Sequence, residues 1–260
     1  MTRQHSNAPG LFDHYGRRVE YLRLSVADKC NLRCFYCLPE GFRDFEEPDN
    51  WLRFDEIERV VAAFAGLGVK RIRLTGGEPL VRRDLPRLAA RLALLPGVED
   101  LSLSTNATLL QRHAGDLRKA GISRINVSLD SLRPGRFKQI TGGSLAPVLD
   151  GLMAAKAAGF APIKINMLAL RGINDDEFED MVAFCVEHDF TLRFIETMPI
   201  GETGRAATNH YISLQNIKAR LAQDYLAMPV LRGSKSAAAW SFSIESLYMS
   251  LNYMSSCDIY

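Results

Sequence analysis

Six short segments of this sequence alternate polar with apolar residues, and a helical stretch separates each from the next. In residues 21–26, Leu22, Leu24 and Val26 share one face, while Tyr21, Arg23 and Ser25 share the other. In residues 69–75, Ile72 and Leu74 oppose Arg71, Arg73 and Thr75. The pattern returns in 100–104, where Ser102 and Ser104 oppose Leu101 and Leu103. It continues in 124–129, where Arg124, Asn126 and Ser128 lead to Asp130, and in 163–168, where Lys164 and Asn166 are polar. Residues 192–197 follow it less cleanly, with Arg193. Such alternation marks strands with two unlike faces. The stretches between carry the 3.6-residue period, as in 54–67, where Ile57, Val60, Val61, Phe64 and Leu67 form one stripe before Gly68. Further helices are expected over 85–92, 109–120, 133–140, 145–158 and 178–185, and around Leu214, Ile217 and Leu221.

Parallel strands need helical crossovers, and no hairpin signal interrupts these six repeats, so the pattern predicts a parallel sheet. Parallel strands covered on both faces read as nearly continuous apolar runs, and these do not. A sheet curved into a partial barrel with a polar lumen satisfies both observations. Ordinary barrels of this type fill the lumen with apolar side chains, so a polar one is expected to hold a ligand. The predicted fold is α/β, a partial (β/α)6 TIM-like barrel. Residues 1–18 read as a polar leader, 19–228 as the barrel and 229–260 as a tail. The lumen face carries Arg23, Arg71, Arg73, Arg124, Lys164 and Arg193 against few carboxylates. Cations gathered in a low-dielectric cavity repel unless an anion joins them. A polyphosphate is the expected guest, with some of the arginines bridging strand ends instead.

Three of the five cysteines, Cys30, Cys34 and Cys37, fall in one C-x3-C-x2-C run after the first strand. That spacing is too tight to span strands, so one loop wraps one object. Converging thiolates bind soft metal, either zinc or an iron–sulfur cluster. Both usually take four protein ligands, and the local count is three. Zinc would need a distant fourth ligand such as His14, although structural zinc ligands usually come as two separated pairs. A [4Fe–4S] cluster would keep one iron open to chelation by something else. The odd cysteine count argues against a disulfide framework. Cys185 shares an apolar helix face with Phe178, Met181 and Val182 and reads as core, whereas Cys257 has no assigned place. After the second strand comes Thr75-Gly76-Gly77-Glu78-Pro79. Paired glycines let backbone approach a neighbour closely or take positive φ, and Pro79 pre-sets the next segment.

The net charge of +2 gives no general polyanion signal, so nucleic acid is not expected as a partner. No apolar run approaches the roughly 20 residues of a membrane span, and the first residues carry no apolar leader. A cytoplasmic protein that does not enter a membrane is expected.

The cysteine loop, followed one β–α unit later by Gly76-Gly77-Glu78-Pro79, resembles radical S-adenosylmethionine (SAM) enzymes. In that family the open iron holds the amino and carboxylate groups of SAM, and reductive cleavage gives a 5′-deoxyadenosyl radical. Within it, Leu22-Arg23-Leu24-Ser25-Val26, Asp28-Lys29-Cys30-Asn31-Leu32-Arg33-Cys34 and Arg73-Leu74-Thr75-Gly76-Gly77-Glu78-Pro79-Leu80 resemble the GTP 3′,8-cyclases of molybdenum cofactor biosynthesis. So do Arg124-Ile125-Asn126-Val127-Ser128-Leu129-Asp130, Gly172-Ile173-Asn174-Asp175 and Arg193-Phe194-Ile195-Glu196. The resemblance runs from about residue 11 to about residue 225.

It implies conversion of GTP to (8S)-3′,8-cyclo-7,8-dihydroguanosine 5′-triphosphate, with no protein general base. Cys30, Cys34 and Cys37 are the implied cluster ligands. Tyr36, Gly76, Gly77, Glu78, Ser128 and Met198 stand at implied SAM contacts, and Arg23, Arg73, Ser104, Lys164 and Arg193 at implied GTP contacts. An external electron donor and cyclic pyranopterin monophosphate synthase are the implied partners, and a homodimer is compatible. Ser104 stands where threonine is usual and Ala107 where glycine is usual. The family also carries a second three-cysteine cluster that binds guanine, whereas here only Cys257 follows Cys185, and the sequence from Leu231 does not resemble the family. A chain truncated or divergent at that end, with activity impaired there, is expected. A single-cluster enzyme acting on another substrate, or a non-catalytic metal-binding paralogue, stays open beside it.

Overall fold

A computed structural model describes residues 10–38, 42, 51–199 and 201–224, with three strands at 228–229, 239–244 and 247–252. Six parallel strands pair in sequence order: β1 (Tyr21–Ser25), β2 (Arg71–Thr75), β3 (Asp100–Thr105), β4 (Ile122–Ser128), β5 (Ile163–Leu168) and β6 (Thr191–Ile195). The crossovers are α1 (Phe54–Gly66), α2 (Leu85–Ala93), α3 (Leu110–Lys119), the pair α4 (Pro134–Thr141) and α5 (Ala146–Ala157), and α6 (Phe178–His188). Beyond β6 come α7 (Gly201–Ala207) and α8 (Leu214–Asp224). The strands β7 (Met228–Pro229), β8 (Ala239–Ile244) and β9 (Leu247–Asn252) then extend the sheet, with β9 parallel to β6 and the last three antiparallel to one another. The rest of the expected tail, Cys257 included, lies outside the described residues, as do residues 1–9 of the expected leader. Residues 10–18 form a turn closed by a Phe12–Arg18 bridge.

The alternation in each strand decides which face is covered. Ile72, Leu74, Leu103, Ile125, Val127, Ile165 and Leu192 lose all exposure beneath the helices. They meet the helical stripes of Val61, Leu88, Leu92, Leu117, Leu152, Phe178 and Met181, which are equally buried. Each such side chain contributes roughly 1.5–3 kcal/mol by leaving water. Cys185 is fully buried in this layer and belongs to the core.

The register aligns the polar residues across the other face. Arg23 pairs with Arg73, Arg73 with Ser102, and Ser102 with Arg124. One level further along, Ser104 pairs with Asn126 and Asn126 with Lys164. Beyond that, Ser128 pairs with Asn166 and Asn166 with Arg193. Polar residues thus run across neighbouring strands on the concave face of an open parallel sheet. Element boundaries shift by a residue or two from the sequence pattern. At β4, which starts at Ile122, the register to β3 shifts at Leu101/Ser102 and the Ser123 hydroxyl donates to Asp100 Oδ1.

Candidate functional site

The segment that follows β1 is pinned to the turn after β2. Val26 N–H donates to the Thr75 carbonyl, Gly77 N–H to the Ala27 carbonyl and Glu78 N–H to the Lys29 carbonyl, at 2.8, 2.6 and 2.9 Å. Gly76 has φ of 148°, and a Cβ there would overlap the Ala27 carbonyl oxygen. A Cβ on Gly77 would overlap that of Asp28. The paired glycines therefore permit a close approach of the chain to its own backbone, at the doorway of the cysteine loop, while both also line the cavity beside it.

The cysteine loop rests on the C-terminal end of α4. Arg33 N–H donates to the Thr141 carbonyl and Phe35 N–H to that of Ile140, at 2.8 and 3.1 Å. The Arg33 guanidinium folds back onto the Cys30 and Leu32 carbonyls. Cys30, Cys34 and Cys37 are half-buried and open into one cavity with Ser104, Ser128, Asn106 and Asp130. Burial raises the Cys30 pKa, and a hydrogen bond shared with Cys37, reinforced by burial, raises that of Cys34.

Three thiolates held so close need a cation among them, and an iron–sulfur core supplies one. Among the described residues, no three His, Cys, Asp or Glu side chains converge as ligands of a single ion do. All three thiols line one cavity, with room beside them for an object wider than one ion. His14 stacks on Tyr15 in the 13–17 turn, away from this cavity. The donor set therefore fits the cluster.

Tyr36 is fixed by its hydroxyl, which donates to Asp130 Oδ2 at 2.6 Å. The other Asp130 oxygen accepts from Leu168 N–H at 2.8 Å. Burial pushes the Asp130 carboxyl up to about 6 and raises the Tyr36 phenol well above its ordinary value. Asn174 completes the latch, its amide donating to the Asp130 and Leu168 carbonyls at 2.8 Å each. With its hydroxyl committed, Tyr36 offers its ring and backbone to a ligand.

Glu78 is fully buried and does not line the cavity. Its carboxylate accepts from Thr105 Oγ1 at 2.7 Å, Leu80 N–H at 3.0 Å and Asn106 N–H at 2.6 Å. Desolvation outweighs those donors and pushes its pKa up to about 7. In this arrangement its oxygens tie β2 to β3. Met198 is half-buried just beyond β6, its carbonyl against Gly204 of α7, outside the cavity lining.

The cations differ in placement and exposure. Arg124 is bound to the Asp100 carboxylate and bridges strand ends, and Arg71 is exposed. Arg23, Arg73, Lys164 and Arg193 are half-buried on the lumen face, with the Arg73 guanidinium 5.2 Å from the centre of the Tyr21 ring. Arg23 and Arg73 are direct cross-strand neighbours, and like charges so placed are unfavourable. On the same face, Ser104 Oγ, Asn126 Nδ2 and Asn166 Oδ1 are buried without a protein hydrogen-bond partner. Each such atom costs about 1–3 kcal/mol unless something binds it. Asn106 was missed by the sequence reading, although Ser102, Ser104 and Asn106 share the two-residue period.

Residues 24–185 match the model of the radical SAM superfamily. The GTP 3′,8-cyclase of Hydrogenovibrio crunogenus is 48% identical over 213 residues, covering 81% of this chain and 64% of that protein. Those of Petrotoga mobilis and Geobacter sulfurreducens are 42% and 44% identical, covering 85% and 90% of this chain and 68% and 72% of theirs. The chain thus spans about two thirds of the length of these curated relatives. Among solved structures, Streptococcus suis SuiB bound to S-adenosylmethionine superposes with a TM-score of 0.66 at 16% identity, over 91% of this chain and 50% of that one. Escherichia coli coproporphyrinogen III oxidase, a radical SAM enzyme, gives 0.55 at 17% identity, over 80% and 52%. At such identities the structural likeness concerns the fold, a partial barrel.

Proposed function

The chain belongs to the radical SAM superfamily and, within it, to the family of the GTP 3′,8-cyclases, and we propose that it joins C3′ of the GTP ribose to C8 of its guanine. The product is the cyclised triphosphate that opens molybdenum cofactor biosynthesis. One observation supports the reading above the others. The cavity that receives three half-buried thiols also receives Ser104, whose buried hydroxyl lacks a protein partner, and four half-buried cations share its sheet face.

When bound, the cluster and SAM supply a primary carbon radical that abstracts hydrogen from the sugar. Cys30, Cys34 and Cys37 would hold three irons. Gly76, Gly77, Ser128 and the ring of Tyr36 would cradle SAM, and Met198 would have to reach it from beyond the cavity lining. Glu78 acts from behind by fixing the turn. Arg23, Arg73, Lys164 and Arg193 would take the triphosphate, and the Ser104 hydroxyl a further oxygen. Guanidinium groups suit phosphate because their forked donors match its oxygens. The protein's contribution is then position and exclusion of water. An external reductant, the synthase that consumes the product, and a reducing cytoplasmic setting complete the reading. Among the described residues, no helix is long and apolar enough to cross a membrane.

Anaerobically reconstituted protein is expected to carry one [4Fe–4S] cluster, to cleave SAM slowly and to form little cyclised product from GTP, as mass spectrometry reads it. Cys34→Ala is expected to lose iron and SAM cleavage together. Zinc in place of iron would overturn the assignment. SAM cleavage by a protein that binds no GTP would favour a single-cluster enzyme acting on another substrate.

A further inference from the structure

The cluster loop is also held from the β3 side, by a residue to which the proposed function gives no part. Asn106 follows β3 and is 9% exposed. Its backbone N–H is taken by Glu78. Its side-chain Oδ1 accepts from both Thr108 N–H and the Thr108 hydroxyl, at 3.0 and 2.7 Å. Its Nδ2 donates to Asn31 Oδ1 at 2.9 Å and lies 3.8 Å from Cys30 Sγ. Asn31 closes the ring by donating to Thr108 Oγ1 at 2.8 Å. This ring fixes the sense of the amide. Rotating it by half a turn would bring Oδ1 against the Asn31 oxygen and the Cys30 sulfur, and would set an NH2 against Thr108 N–H. The donor end therefore faces sulfur. The same sulfur receives Leu32 N–H at 3.4 Å.

We propose that Asn106 is a positioning residue that tunes the cluster, donating through Nδ2 to the sulfur of Cys30 and thereby raising the reduction potential. The proposal rests on the reading that Cys30 ligates an iron–sulfur cluster. A hydrogen bond to a ligating thiolate withdraws electron density from sulfur and favours the reduced, more negative core. Metal ligation makes the sulfur a thiolate, a stronger acceptor than the free thiol. Glu78 contributes at one remove, by holding the Asn106 backbone at the end of β3.

The test is a redox titration followed by electron paramagnetic resonance on the reconstituted chain without GTP, with iron counted in each sample. Asn106→Ala removes the donor, and Thr108→Val removes the hydroxyl that binds Asn106 Oδ1 and accepts from Asn31, loosening the ring while leaving every cavity group in place. The expected result is a more negative midpoint potential and altered g-values in Asn106→Ala, with a smaller shift of the same sign in Thr108→Val. Unchanged potentials in both variants at full iron content overturn the proposal and leave the cyclase reading standing. So does loss of the cluster from Asn106→Ala when Thr108→Val keeps the parent potential, because Asn106 then acts only as a structural tie. A parent protein that takes up no iron would refute the cluster reading itself, and this proposal with it.

Discussion

Glu78 shows how one buried carboxylate changes the balance of its surroundings. Its pKa rises from 4.5 to about 7 chiefly because burial removes water. A folded-state pKa above the unfolded one gives a contribution that is complete below about 4.5 and lost as pH climbs towards 7. The difference corresponds to about 3 kcal/mol. Denaturant unfolding of iron-free protein should therefore show stability falling across that window, and Glu78→Gln should lessen the fall, leaving the share of Asp130, which burial raises to about 6. An unchanged slope in the variant would mean that another group titrates there. The sequence showed that a carboxylate follows the two glycines, but not which way it turns. Its partners, Thr105 and Asn106, lie 27 and 28 residues away and are reached only through the fold. Ala107 adds a second example. It takes φ of 61°, a left-handed conformation that glycine adopts without strain, which accounts for the glycine expected there.

At the scale of elements, strands and helices were legible where one face had to be apolar, because period 2 and period 3.6 follow directly from backbone geometry. The short α7 escaped notice because GETGRAA, its whole length, carries no apolar stripe. The latch joining β4, β5 and the cysteine loop was equally hidden, since Tyr36 and Asp130 are 94 residues apart. A hydrogen bond to a charged group contributes about 1.5–3 kcal/mol. Asp130→Ala is accordingly expected to release Tyr36 and to lower the iron retained per chain after gel filtration, with the barrel's circular dichroism unchanged. Full iron retention would show that the grip of α4 on the loop suffices alone.

For the whole molecule, the concave face was foreseen from composition by face, as a run of cations with few carboxylates. That Arg124 bridges strands was not, because it finds Asp100 only once β3 and β4 are in register. Arg73→Ala and Lys164→Ala are each expected to weaken GTP binding about ten- to a hundredfold by equilibrium dialysis, at unchanged iron content. Parent-like affinity in both would make them structural cations. The clamps on the cysteine loop have a consequence for the making of the protein. The thiols leave the ribosome early, but Asn106, Asp130, Thr141 and Asn174 follow 70 to 140 residues later. At about 5–20 residues per second, Tyr36 waits roughly 5–20 s for Asp130 alone. During that interval the three cysteines are a loose peptide exposed to oxidants and stray metals, so assembly of the cluster belongs after synthesis of the barrel.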